Sequence, residues 1–180
     1  HIFCDVKIKL NQFYYIKINA SIYLQMDYDK VVEQICSYDG HRNQTRDIFI
    51  YSMREYQRKI LEQMEYISNN SETTIRVRKP HAFIYECLFN ITILSLDYLS
   101  KTKSKEKIIE ENRALYMRKN ADYGNSFKDF AWIGLLVRLN DKINRILCLM
   151  DRGSIQVKDE RVEDTIQDLY NYGILSLMYK

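Results

Sequence analysis

The 180 residues suffice for one packed domain and exclude a large multidomain enzyme. One proline and five glycines are few for that length, a composition that helices tolerate best. With 27 basic against 24 acidic residues the net charge is +3, which excludes the broad basic field of a nucleic-acid binder.

The first residues, His1 to Asp5, lack the basic flank and apolar core of a signal peptide, and no apolar run reaches the length of a membrane span. Cys4, Cys36, Cys87 and Cys148 are too far apart for a zinc site or a disulfide scaffold. The expectation is an intracellular protein with reduced thiols and no membrane partner.

Along residues 1–43, Val6-Lys7-Ile8-Lys9-Leu10 and Tyr14-Tyr15-Ile16-Lys17-Ile18 alternate as short strands do, so this arm is compatible with a strand pair. Ile48, Tyr51, Tyr56, Ile60, Met64 and Ile67 then predict an amphipathic helix over 44–67. Pro80 stands where a helix can begin, and the apolar run from Phe83 to Leu99 predicts a buried one. These two helices make up a region, 44–104, in which no family is recognisable.

From residue 105 to 180 the pattern is that of a separate helical module. A lysine-rich connector leads into a helix over about 105–119, and Ala121-Asp122-Tyr123-Gly124-Asn125-Ser126 holds turn residues that end it. Helices over about 129–151 and 159–179 follow, with Asp151-Arg152-Gly153-Ser154 between them. Leu135, Leu136, Leu139, Ile143, Ile146, Leu147 and Met150 form the inner face of the first, and Val162, Ile166, Leu169, Tyr170, Ile174 and Leu177 that of the second. The fold class is therefore all-α, a helical bundle with a polar seam.

That seam carries the chemistry. Glu160, Glu163, Asp164, Gln167, Asp168, Asn171 and Tyr172 recur at helical spacing and predict a single acidic stripe. Like charges so placed repel, and Mg²⁺ is a natural compensator because it takes carboxylate oxygens and leaves sites for water and phosphate. The same row also suits a solvated face or ion pairs with nearby lysines. Arg138, Asp141, Lys142 and Arg145 share one face of the preceding helix, where the basic groups can meet phosphate or pair with the stripe. Lys119, Asn120, Asp122 and Tyr123 sit at a helix-to-turn junction, a position for either a pocket mouth or a simple cap. Tyr123, Phe127, Phe130 and Trp132 can stack on a base or fill the core.

Three blocks, Lys119-Asn120-Ala121-Asp122-Tyr123-Gly124-Asn125-Ser126-Phe127, then Val137-Arg138-Leu139-Asn140-Asp141-Lys142, then Glu163-Asp164-Thr165-Ile166-Gln167-Asp168-Leu169-Tyr170-Asn171-Tyr172, together resemble the nucleotide modification associated domain family. More remotely, the helical layout resembles the MazG and dimeric dUTPase group of all-α pyrophosphatases. The wider resemblance implies a homo-oligomer in which acids from two helices hold Mg²⁺ and water attacks a nucleoside triphosphate to release pyrophosphate.

Carried onto this sequence, the resemblance implies Glu160, Glu163, Asp164 and Asp168 as catalytic residues and Glu163, Asp164, Asp168 and Asp141 as metal ligands. Lys119, Asn120, Asp122, Tyr123, Arg138, Lys142, Arg145, Asn171 and Tyr172 would contact the nucleotide. The group's earlier Glu-x-x-Glu pair is missing: the nearest acids are Glu106, Glu110 and Glu111, with Arg113 and Ala114 where a second glutamate is wanted. Asp122 or Asp141 would have to complete the metal shell. The expected function is metal-dependent nucleotide binding with pyrophosphohydrolysis; the alternatives are a nucleotide-binding module without turnover and a helical protein-interaction module.

Overall fold

The computed structural model of the chain describes residues 27–38, 45–69, 81–123, 131–152 and 161–179. Among the described residues there are six helices and no strand: α1 (Tyr28–Cys36), α2 (Arg46–Asn69), α3 (Phe83–Leu99), α4 (Lys105–Tyr123), α5 (Ala131–Arg152) and α6 (Val162–Met178). The all-α reading holds. The strand-like stretches at 6–10 and 14–18 lie outside the described residues.

Within the arm, residues 28–36 are helical, which the alternation upstream did not suggest. Asp27 accepts a hydrogen bond from the Lys30 amide at 3.0 Å, and Tyr28, Val31, Val32 and Ile35 form a buried stripe at helical spacing. The helix is thus set by a cap and four apolar side chains, a local signal independent of what precedes it.

Helix α3 is the centre of the molecule. Twelve of its residues are buried, on every side of the helix, so it must be wrapped by neighbours. It packs most extensively on α6; α6 also packs on α5, and α5 on α2, which returns to α3. Helices α1 and α4 lie against the α3–α6 pair. Thr92 and Ser95 occupy this interior because their hydroxyls bond back to Leu88 O at 2.7 Å and Ile91 O at 2.8 Å.

Polar side chains fix the ends of the elements. The buried Gln63 on α2 accepts the His81 amide at 2.8 Å, pinning the approach to α3. Arg46 donates to Met150 O, and Arg54 pairs with Asp151 at 2.8 Å, so two arginines of α2 hold the electronegative C-terminal end of α5. All seven residues expected on the inner face of α5 are buried, as are Ile166, Leu169, Tyr170, Ile174 and Leu177 of α6, with Val162 half-buried. No helix of the described residues is long and apolar enough to cross a membrane.

Candidate functional site: the polar seam between α4, α5 and α6

Helix α4 differs from its neighbours because it buries little: Ile108 and Asn112 are its buried residues among those whose side chains are described. Asn112 is 1% exposed, and a buried amide must find partners or lose stability. It finds three. Its Nδ2 donates to Ile108 O at 2.7 Å, while its Oδ1 accepts from Gln167 Nε2 at 3.1 Å and Asn171 Nδ2 at 2.7 Å. This amide cluster joins α4 to α6 where apolar packing between them is sparse.

The seven-residue stripe expected on α6 divides between two neighbours. Gln167 and Asn171 face α4 through Asn112, whereas Asp168 Oδ2 accepts from Lys142 Nζ of α5 at 2.7 Å. Asp164 is used locally: its Oδ2 accepts the Arg161 amide at 3.1 Å, tying down the start of its own helix. Glu163 turns toward a cleft, Tyr172 packs half-buried against the core, and Glu160 lies outside the described residues.

The cleft next to Asn112 holds about 130 Å³ and is lined by Leu99, Thr102, Lys103, Ile108, Glu111, Asn112, Glu163 and Gln167. It lies where the end of α3, the first turns of α4 and the first turns of α6 converge. Lys103 pairs with Glu111 across its edge, and the Thr102 hydroxyl donates to Leu99 O at 3.3 Å. Sequence reasoning missed Asn112 and this cleft. A signal was there: Asn112 falls in register with Ile108, Tyr116 and Asn120, on the inward side of a helix whose remaining residues are mostly charged.

The expected basic row is on α5 with Arg138 and Asp141 exposed and Lys142 and Arg145 half-buried. Lys142 and Gln167 flank α6 at the same height, since Gln167 and Asp168 are consecutive. Lys119 is exposed near the end of α4. Asn120 follows Asn112 by eight residues, and its Oδ1 is buried without a hydrogen-bond partner. Helix α4 runs on through Asp122 to Tyr123, beyond the expected stop near 119; the side chains of Asp122 and Tyr123 are not among those described. Phe127 and Phe130 lie outside the described residues. Trp132 is core: 2% exposed, it stands edge-on to Tyr85 and to Tyr179, each at 5.3 Å between ring centroids.

Among the described residues, no three His, Cys, Asp or Glu side chains gather so that they could hold a metal ion. Asp164 serves its helix, Asp168 serves Lys142, and Asp141 is exposed on α5. Glu163, Asp164, Asp168 and Asp141 therefore do not gather as one four-carboxylate shell.

The fold and seam define a class, helical bundles with a small polar cleft between loosely joined helices. Within the chain, residues 119–179 match the model of the family described as Nucleotide modification associated domain 1. That span takes in the end of α4, all of α5 and all of α6. No curated protein and no solved structure matches the chain.

Proposed function

We propose that helices α4, α5 and α6 bind a nucleotide, with the base in the cleft beside Asn112 and the phosphates along the basic row of α5. The observation that carries this reading is the Asn112 cluster, a buried amide at the wall of a cleft that holds Gln167, also of that wall, and Asn171 in fixed orientation. Preorganised amides of this kind orient a polar ligand at little entropic cost. The family description of the matched segment, which takes in Gln167, Asn171 and the basic row of α5 but not Asn112, lends support to nucleotide association.

The cleft is smaller than the roughly 300–1,000 Å³ of a drug-sized ligand site, so it suits one ring with the remainder outside. On α5, Lys142, now paired with Asp168, and the exposed Arg138 are the positive charges that would meet the phosphates. Hydrolysis is a separate matter, because the described residues hold no cluster of three or more His, Cys, Asp or Glu side chains.

The test is a thermal-shift panel of the ribo- and deoxynucleoside triphosphates, with and without Mg²⁺, followed by analysis of released phosphate and pyrophosphate. A ligand at about 100 times its Kd adds roughly 2.7 kcal/mol of stability and is readily seen. Binding without turnover is the expected result. Pyrophosphate release would instead make the chain a pyrophosphohydrolase, and the absence of any shift would sink nucleotide binding at this seam.

A further inference from the structure

The amide cluster also dictates which hydrogen-bonding face the cleft presents. Ile108 O, a backbone carbonyl, can only accept, so the Asn112 group beside it must be the NH₂ and its oxygen must face α6. That oxygen receives Gln167 and Asn171, so both must donate to it. Their own amide oxygens are then turned away from Asn112. On Gln167, which lines the cleft, this leaves an oriented acceptor.

The rest of the polar lining agrees. The Thr102 hydroxyl has spent its proton on Leu99 O and keeps only lone pairs. Glu111 and Glu163 are acceptors when ionised, and Glu163, exposed on the first turn of α6, makes no ion pair among the described residues. Against these stand three side-chain donors, the second amide hydrogens of Asn112 and Gln167 and the Lys103 ammonium, itself paired with Glu111.

We infer that the cleft selects a base with two adjacent N–H donors, a guanine edge, with Glu163 as the carboxylate that accepts both. This rests on the nucleotide-binding reading. Guanine alone among the common bases sets an N1–H beside an exocyclic N2 amine, matching the two oxygens of a carboxylate; its O6 then falls to the Gln167 amide hydrogen or to Lys103. Adenine and cytosine place a ring acceptor next to their amine, which a carboxylate repels. Uracil offers one donor between two acceptors.

Isothermal titration of the full chain with GTP, ITP, ATP, CTP and UTP tests the inference, since ITP differs from GTP only by the N2 amine. The expected result is GTP binding about 10- to 100-fold more tightly than ITP, the range of one hydrogen bond to a charged group. In Glu163→Gln, GTP affinity falls to near that of ITP while ITP changes less; the exposed position leaves folding intact, as circular dichroism would verify. Equal affinity for GTP and ITP, or an unchanged ratio in Glu163→Gln, overturns guanine selection and leaves nucleotide binding standing. If no triphosphate binds, both fall together.

Discussion

Gly173 of α6 lies so close to Thr92 of α3 that a Cβ on the glycine would stand 2.1 Å from the Thr92 Oγ1 and 3.2 Å from its Cβ. The Thr92 hydroxyl cannot easily swing aside, because it is bonded to Leu88 O at 2.7 Å and is fully buried. The glycine is therefore the residue that lets the two central helices approach. Helix α6 carries the amides and carboxylates of the cleft on its other faces, so the position of the site depends on this contact.

Gly173→Ala should accordingly destabilise the fold by about 1–3 kcal/mol, the usual cost of overpacking a core. Thr92→Ala in the same chain should recover part of that loss by removing the Oγ1, though the Thr92 Cβ stays close. Urea denaturation of the two single variants and the double variant measures the coupling. Additive losses would mean that the close approach is not what the glycine provides.

How far the sequence discloses this arrangement depends on what each residue answers to. The inner faces of α5 and α6 are legible because each apolar position, from Leu135 to Met150 and from Ile166 to Leu177, is set by periodicity alone. The polar seam is not, because helical spacing tells which residues share a side but not which neighbour they meet. Gln167 and Asp168 belong to one stripe by spacing, yet one reaches Asn112 of α4 and the other Lys142 of α5. Asn112 itself reads as one more polar residue in a charged helix. Its burial is a tertiary fact, fixed by the convergence of α3, α4 and α6.

Replacing Asn112 tests whether that buried amide organises the seam. Asn112→Leu keeps the bulk but removes the acceptor shared by Gln167 and Asn171, and should cost about 1–3 kcal/mol in chemical denaturation. Nucleotide affinity should fall as well, since Gln167 is no longer held. Met117→Ala, at an exposed position on the same helix, is the comparison and should change stability by no more than about 0.5 kcal/mol. Equal effects of the two substitutions would remove Asn112 from its organising role.

The cysteines should separate by reactivity. Burial pushes the Cys87 thiol up to about 12, so at pH 8 only roughly one molecule in ten thousand carries the reactive thiolate. Desolvation also raises the Cys36 thiol, although Cys36, like Cys148 on α5, is exposed. Alkylation followed by peptide mass spectrometry should label Cys148 first, Cys36 more slowly and Cys87 only when the chain unfolds. Labelling of Cys87 at the rate of Cys148 in native buffer would contradict the packing of α3 against α2.

Acid should loosen the outer helices through one identifiable pair. Arg113 of α4 grips both carboxylate oxygens of Asp29 on α1, at 2.7 and 2.8 Å, beside the stacked rings of Tyr28 and Tyr116. The side-chain hydrogen bond from Arg113 holds the Asp29 carboxyl below the ordinary aspartate range. A group whose folded pKa is depressed contributes stability that is present above its unfolded value and is lost as pH falls through the folded one. Wild type should thus exceed Asp29→Asn in stability at pH 7, and the difference should shrink below about pH 4, where the unfolded carboxyl takes up its proton. Both side chains are well exposed, so the gap should be small and should narrow further in high salt. Urea midpoints for the two proteins at pH 7, 5 and 3 provide the measurement. A gap that stays constant from pH 7 to 3 would show that Asn is poorer at position 29 for some reason other than charge.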